Sequence, residues 1–499
     1  MLDQTQTPLL TALQASGQRH QAAFYAPGHK RGRGASARLK ALLGEGTLLA
    51  DLPELPELDN LFAPEGIILA AQELAAAAFG AAQTWFLANG STCGIEAALL
   101  ATCGPGDQVM VPRNAHRSVI AGLILAGAMP IYLSPDYDPS LGLALGVSAD
   151  TIAAALAQHP DTRAVLVVSP TYHGVCSDLK TIANLAHDHG IPLLVDEAHG
   201  PHFAFHPALP SPALTQGADL VVQSTHKVLG ALTQASMLHV GSDRIDRDRL
   251  QAALQLTQST SPSYLLLASL DAARHQMATA GAELLDATLA LAGEIRSKLG
   301  AIPGLRVINP ADVLPFASVA ALDLTRLTVD VSGLGISGLV ADEILHNELG
   351  VTVELPELRH LTLIVSIGNT LEDGQRCVAG FTTLRAKTAH GKSDLSAGAH
   401  DHASSTNRHQ PDPSPFTQPQ VSPREAFFAA TTTVPADLAI GRLSAETLSA
   451  YPPGIPTVVA GERITAAAIA HLSLVKEQGG NVTGCSDSSL TTLKVLVHG

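Results

Sequence analysis

The chain has 499 residues, more than one hydrophobic core usually serves, so two or three domains are expected. Hydrophobic residues make up 46% and charged residues only 15%, which excludes a mainly disordered chain. With 30 Lys and Arg against 45 Asp and Glu the net charge is −15, which argues against nucleic-acid or anionic-membrane partners and leaves room for a local cationic pocket.

The five cysteines, Cys93, Cys103, Cys176, Cys377 and Cys485, show no CxxC spacing, and the N-terminus has no signal-peptide pattern. A reducing cytoplasm is the expected compartment. Residues 1–60 read as an N-terminal arm. From Thr84 onward seven apolar runs alternate with helical stretches such as 91–103 and 178–189: TWFLAN, QVMVPR, MPIYLSP, RAVLVVSP, PLLVDEA, DLVVQST and ASMLHVG. The alternation predicts a mostly parallel sheet covered by helices on both faces. Ligands of such sheets sit outside the carboxyl ends of the strands, so polar residues just after strands are the candidates for chemistry. The longest uncharged run, Ser118 to Pro135, is broken by Gly122, Gly127 and Pro130 and is expected as a buried helix and strand, not a membrane span.

Residues 301–387 read as a small α/β domain, with strand-like VAALDL and LTLIVSIG around a helix at Gly338–Leu349. Residues 388–419 lack apolar periodicity and read as a flexible linker or insert. His390, His400, His402 and His409 there are irregularly spaced with no thiol among them, and no metal site is expected. Order returns at SPREAFFA in a last domain, 420–499.

The most informative segment is VVQSTHKVLG. Lys227 follows a buried strand and small polar residues, where an ammonium group needs a reason to be. Its bland reading is a surface lysine after a strand end; as a functional group it is a Schiff-base lysine. Asp196 ends the strand in LLVDEAH. Alone it is a turn cap; with Lys227, each after its own strand, it is a partner for the ring nitrogen of pyridoxal phosphate, keeping the ring protonated. A phosphate site is expected where strand gives way to helix at Gly90, Ser91, Thr92, Cys93 and Gly94, with Ser224 and His226 completing it. His116, after QVMVPR, is either a helix cap or a ring stacked on the cofactor. Ser169, Thr171 and His173 follow another strand, where a hydroxyl suits the cofactor's phenolic oxygen. His199 suits the substrate carboxylate or the neighbourhood of Lys227.

Nine separated motifs now fall into one order: APGHKRG, DLPELPELDNLFAPEGII, NGSTCG, RNAHRSV, SPTYHG, VDEAHG, STHK, SPREAFFA and YPPGIPTVVAGE. In this the chain resembles the Orn/Lys/Arg decarboxylase family over nearly its whole length, except 388–419. The resemblance implies an α/β, aspartate-aminotransferase-like (fold type I) large domain at 61–300 with a mostly parallel seven-stranded sheet, the small domain and the C-terminal domain. It implies pyridoxal phosphate as cofactor, Lys227 as its attachment point, Asp196 at the ring nitrogen and His116 stacked on the ring. Ser91, Thr92, Ser224 and His226 become phosphate contacts, and Cys93, Thr171 and His199 complete the cofactor set. Lys227 or His199 returns a proton to Cα.

PGHK begins at Pro27, with no receiver-like domain before it, so the chain resembles the short biosynthetic form. That form points to arginine, giving agmatine and CO₂ in polyamine biosynthesis, with lysine second and ornithine third. The substrate's distal cation calls for a carboxylate, for which Glu354, Glu462 and Glu54, with Asp59 beside it, are the candidates. Two rivals are an aminotransferase, whose carboxylate-binding arginine would be Arg359, and a catalytically silent homologue. The expected partners are a small basic amino acid and further copies of the chain, as a homodimer or larger even assembly.

Overall fold

A computed structural model describes residues 2–390, 417–451 and 455–497. His400, His402 and His409, the side chain of His390 and most of the segment 388–419 lie outside the described residues, as do 452–454 of the YPPGIP motif. The chain forms two compact units, Met1–Thr102 with Pro192–Asp286, and Cys103–Ile191 with Ala287–Gly499.

All seven expected strands form, four in the first unit and three in the second. In the first unit the order is Gln83–Leu87, Ser236–Val240, Leu220–Gln223, Leu193–Asp196. Ser236–Val240 is antiparallel to both its neighbours, and Leu193–Asp196 runs parallel to Leu220–Gln223. These strands are buried on both faces, which is why they read as continuous apolar runs. The helix Gly90–Thr102 packs on them, and Gly94 permits its close approach. A Cβ there would stand 2.7 Å from Leu87 and 2.8 Å from Val222.

The N-terminal arm begins with the helix Pro8–Gln18, whose start is fixed by a buried acid. Asp271 accepts the backbone N–H of Leu9 at 3.0 Å and of Leu10 at 3.3 Å. It also pairs with Arg274 at 2.5 Å, and that guanidinium donates to the carbonyls of Gln4 and Gln6. Both charged side chains are fully buried.

The second unit carries Thr162–Val168, Gln108–Pro112 and Met129–Leu133, parallel and in that order. The uncharged run resolves into the helix Arg117–Ala126, ended by Gly127 in the left-handed region, and the strand Met129–Leu133. Among the described residues no helix is long and apolar enough to cross a membrane.

A four-stranded antiparallel sheet follows, in the order Arg306–Val307, Arg326–Asp330, His360–Ile364, Leu355–Pro356. The helix Gly338–Leu349 has the expected bounds, set by the Ser337 cap and the left-handed Gly350. One expectation changes. VAALDL supplies only the short strand Ala321–Leu322, which pairs with Val175–Cys176 outside that sheet. The Asp323 carboxylate accepts the N–H and hydroxyl of Thr325 and turns the chain, so the following RLTVD becomes the inner strand.

The C-terminal part of this unit docks through polar side chains. Gln418 makes two hydrogen bonds to the backbone of Tyr132 on the edge strand. Arg424 donates to the carbonyls of Ile124 and Leu125, satisfying the end of their helix. Arg113 pairs with Glu462 through Nε at 3.2 Å and Nη2 at 2.8 Å, and donates to the carbonyls of Pro456 and Thr457. The Arg113 guanidinium also lies over the Tyr132 ring, 5.3 Å from its centroid.

Candidate active site

In the first unit the ends of two adjacent parallel strands bring the expected lysine and aspartate together. Lys227 ends a short 3₁₀ turn, Thr225–Lys227, after the strand Leu220–Gln223, and its Nζ stands 2.9 Å from His199 Nε2. Asp196 is 5% exposed, and Oδ1 accepts the N–H of Ala198 at 3.2 Å. Burial pushes its carboxyl above the usual range, and the charge of Lys227 pulls the other way. At the start of the helix Gly90–Thr102 the Ser224 hydroxyl donates to Ser91 Oγ at 2.7 Å, joining the two halves of the expected phosphate site. The buried Thr225 hydroxyl beside Ser224 has no hydrogen-bond partner among the described residues.

The other expected contacts in this unit are less direct. Thr92 is exposed on the first turn. The Cys93 thiol turns back to the carbonyl of Gly90 at 3.0 Å, and burial pushes it up to about 12, so Cys93 offers the helix start only its backbone. The His226 ring donates from Nδ1 to the carbonyl of Ala235 at 3.0 Å.

The second unit holds the remaining candidates. His116 is the N-cap of the helix Arg117–Ala126, its Nδ1 accepting the N–H of Ser118 at 3.2 Å. Capping fixes the ring's orientation, so the two alternatives for His116 are compatible. Thr171 is buried, and its hydroxyl accepts the N–H of Val175 at 3.2 Å. Ser169 accepts the N–H of Ser177 at 3.2 Å. His173 stands 3.2 Å from the Thr362 hydroxyl and 3.5 Å from Glu357. Arg359, the arginine an aminotransferase would need, is committed to Asp330 at 2.7 Å and to the carbonyl of Ser140 at 2.8 Å.

The carboxylates proposed for the distal cation have other partners. Both oxygens of Glu462 serve Arg113, and one also accepts the N–H of Val459, so Glu462 is an anchor of the C-terminal part. Three donors on this buried carboxylate argue against its expected role as a substrate residue, since a ligand's cation would have to compete with Arg113. Glu54 accepts from the Asn60 side chain and the N–H of Leu61, pinning its own loop. Asp59 accepts four backbone N–H groups, from Asn60, Glu65, Gly66 and Ile68. Burial opposes its ionisation, but the four donors prevail and hold the carboxyl low. Glu354 is exposed.

Glu197 is the residue that sequence reasoning missed. It is buried beside Asp196, and burial pushes its carboxyl up to about 8 against the hydrogen bonds from Gln223 and Ala213. An acidic residue directly after Asp196 in an otherwise apolar segment is the signal that marks it.

The donor set suits pyridoxal phosphate. A lysine amine and a buried carboxylate stand on neighbouring strand ends, and paired hydroxyls lie at the positive end of a helix where backbone N–H groups are free for an anion. The sheet and its helices make the chain an α/β protein of the fold type I class of pyridoxal phosphate enzymes. A crystal structure of the lysine decarboxylase LdcF of Francisella novicida superposes with a TM-score of 0.84 at 23% identity, covering 98% of this chain and 81% of that one.

The model for the Orn/Lys/Arg decarboxylase major domain matches residues 7–373, and that for the family's C-terminal domain matches 402–487. The chain belongs to the Orn/Lys/Arg decarboxylase family and is a decarboxylase of that family. Arginine decarboxylase of Bacillus subtilis is 37% identical over 500 residues, 99% of both chains. Arginine decarboxylase of Halalkalibacterium halodurans is 38% identical over 496 residues, again 99% of both.

Proposed function

We propose that the chain decarboxylates L-arginine to agmatine and CO₂ with pyridoxal phosphate, serving polyamine biosynthesis in the cytoplasm. The observation that carries the reading is the pair of strand ends presenting Asp196 and Lys227, with His199 against the lysine. The full-length relatives that bear the name arginine decarboxylase support arginine over lysine or ornithine.

The bound cofactor supplies a protonated ring that accepts the electrons of the breaking Cα–carboxylate bond. Lys227 is its attachment point. Asp196 would keep the ring nitrogen protonated, and its burial would strengthen that ion pair. Ser91, Thr92, Ser224 and His226 would hold the phosphate, His116 would stack on the ring and Thr171 would serve its hydroxyl. Lys227 or His199, whose nitrogens stand 2.9 Å apart, would return a proton to Cα. Glu354 and Glu54 are the remaining acids for the guanidinium. The chain acts as a homodimer or larger even assembly. It divides into an arm (1–60), large domain (61–300), small domain (301–387), insert (388–419) and C-terminal domain (420–499). The commitment of Arg359 to Asp330 disfavours the aminotransferase rival.

Purified protein given pyridoxal phosphate and labelled arginine, lysine or ornithine tests the reading, with a keto-acid acceptor assay alongside. The expected result is CO₂ release with the highest kcat/KM for arginine. A higher value for lysine or ornithine overturns the substrate, and amino transfer to the keto acid overturns the reaction.

A further inference from the structure

A buried row of polar side chains crosses the sheet of the first unit. Thr84 stands opposite His239 in the strand register, and its hydroxyl lies 2.8 Å from Nδ1. His239 Nε2 is 3.1 Å from Gln223 Oε1, on the diagonal of the next pair. Gln223 Nε2 donates to Glu197 Oε2 at 2.8 Å, and Glu197 Oε1 accepts the N–H of Ala213 at 2.8 Å. All four side chains are at most 2% exposed. Side chains alternate along a strand, so Glu197 lies on the face opposite Asp196.

The row has one polarity. Burial pushes His239 down to about 3, so the ring is neutral and carries a single N–H. Phe79 lies against the ring with centroids 4.8 Å apart. Gln223 Oε1 accepts, so the proton sits on Nε2, and Nδ1 is left to accept the Thr84 hydroxyl. Every donor therefore points toward Glu197, the only acid in the row.

We propose that Glu197 is a positioning residue: it sets the polarity of this row and clamps together the ends of the strands Leu193–Asp196 and Leu220–Gln223. Those ends release Asp196 on one side and Ser224 to Lys227 on the other, so the clamp fixes the spacing of the groups that hold the cofactor. What the strand ends carry rests on the function proposed above; the clamp itself does not. Glu197 also donates its own N–H to the carbonyl of Val222 at 3.0 Å, so backbone and side chain act at the same strand end.

Three substitutions test it. At pH 9, where the Glu197 carboxylate is ionised and offers two acceptors, E197Q keeps the shape but brings one donor, so Gln223 turns over and His239 moves its proton to Nδ1. Histidine ¹⁵N shifts read that exchange without any cofactor. E197A removes the clamp, and amide hydrogen exchange at 197–198 and 224–228 quickens. The Kd for pyridoxal phosphate, titrated by absorbance, rises about tenfold, and the pH midpoint of the bound cofactor's band moves. T84V breaks only the far end and leaves that Kd within about twofold of the parent. If E197A melts lower but keeps the parent's Kd, band midpoint and exchange, Glu197 is structural only and the proposal falls. An unchanged His239 tautomer in E197Q overturns the polarity. Should the parent protein bind no pyridoxal phosphate, the functional reading fails, while the tautomer and exchange measurements still decide the clamp.

Discussion

Two acids stand side by side at the end of the strand Leu193–Asp196, and the pleat sends them to opposite faces. Asp196 stands in the electrostatic field of Lys227, whereas Glu197 has a glutamine and a backbone N–H as hydrogen-bond donors. Their pH behaviour differs accordingly. Glu197 goes from 4.5 in the unfolded chain to about 8 when folded, so the folded state holds a proton that the unfolded state has lost. Stability therefore falls as pH rises across that window, by at most about 1.4 kcal/mol per unit. The groups facing Glu197 are neutral His239, Gln223 and the Ala213 amide, so E197Q flattens that slope in denaturant titrations at pH 5 to 8. For the chemistry, Lys227→Ala abolishes CO₂ release with the melting temperature retained. Asp196→Asn lowers kcat about 100-fold or more. Asp196 was legible because it closes an apolar run, and Lys227 because it follows another after a few small polar residues. The proposed role of Glu197 was not, because its donors at 213 and 223, and the residues beyond them at 239 and 84, are uncharged and only the sheet brings them together.

At the scale of elements, the sequence marks strands and helices where local chemistry is decisive. The seven apolar runs between Thr84 and Val240 form strands because burial on both faces leaves no other pattern. Gly338–Leu349 was readable from its serine cap and terminal glycine. VAALDL does hold a strand, but the Asp323 turn cuts it to Ala321–Leu322, and the shorter RLTVD took the inner position of the four-stranded sheet. Nor does the sequence reveal what holds the N-terminal helix Pro8–Gln18, since Asp271 lies more than 260 residues away. Asp271→Ala leaves Arg274 buried without its carboxylate and removes the acceptor at the helix start. It should cost about 3–5 kcal/mol and expose residues 2–20 to limited proteolysis before the rest of the chain unfolds.

For the whole molecule, the acidic balance of −15 suits an enzyme whose proposed substrate is a cation, but bulk charge did not find the acids that matter. Glu462 drew attention as a candidate at the substrate's far end. The sequence separation of 349 from Arg113 concealed its commitment to a buried pair. Glu462→Ala strands that guanidinium and should cost about 3–5 kcal/mol, read as a fall in melting temperature. Replacing both partners by apolar residues of similar volume restores most of it.

Arg113 also restricts how the chain can be recombined. It lies three residues before His116, in the short connection between a sheet strand and the helix that His116 caps. A chimera that imports its C-terminal portion from a relative must bring a carboxylate for Arg113 and carbonyls placed like those of Pro456 and Thr457. Without them the graft leaves an uncompensated cation next to a proposed cofactor residue, so the two portions are inherited as one compatible set rather than as interchangeable modules.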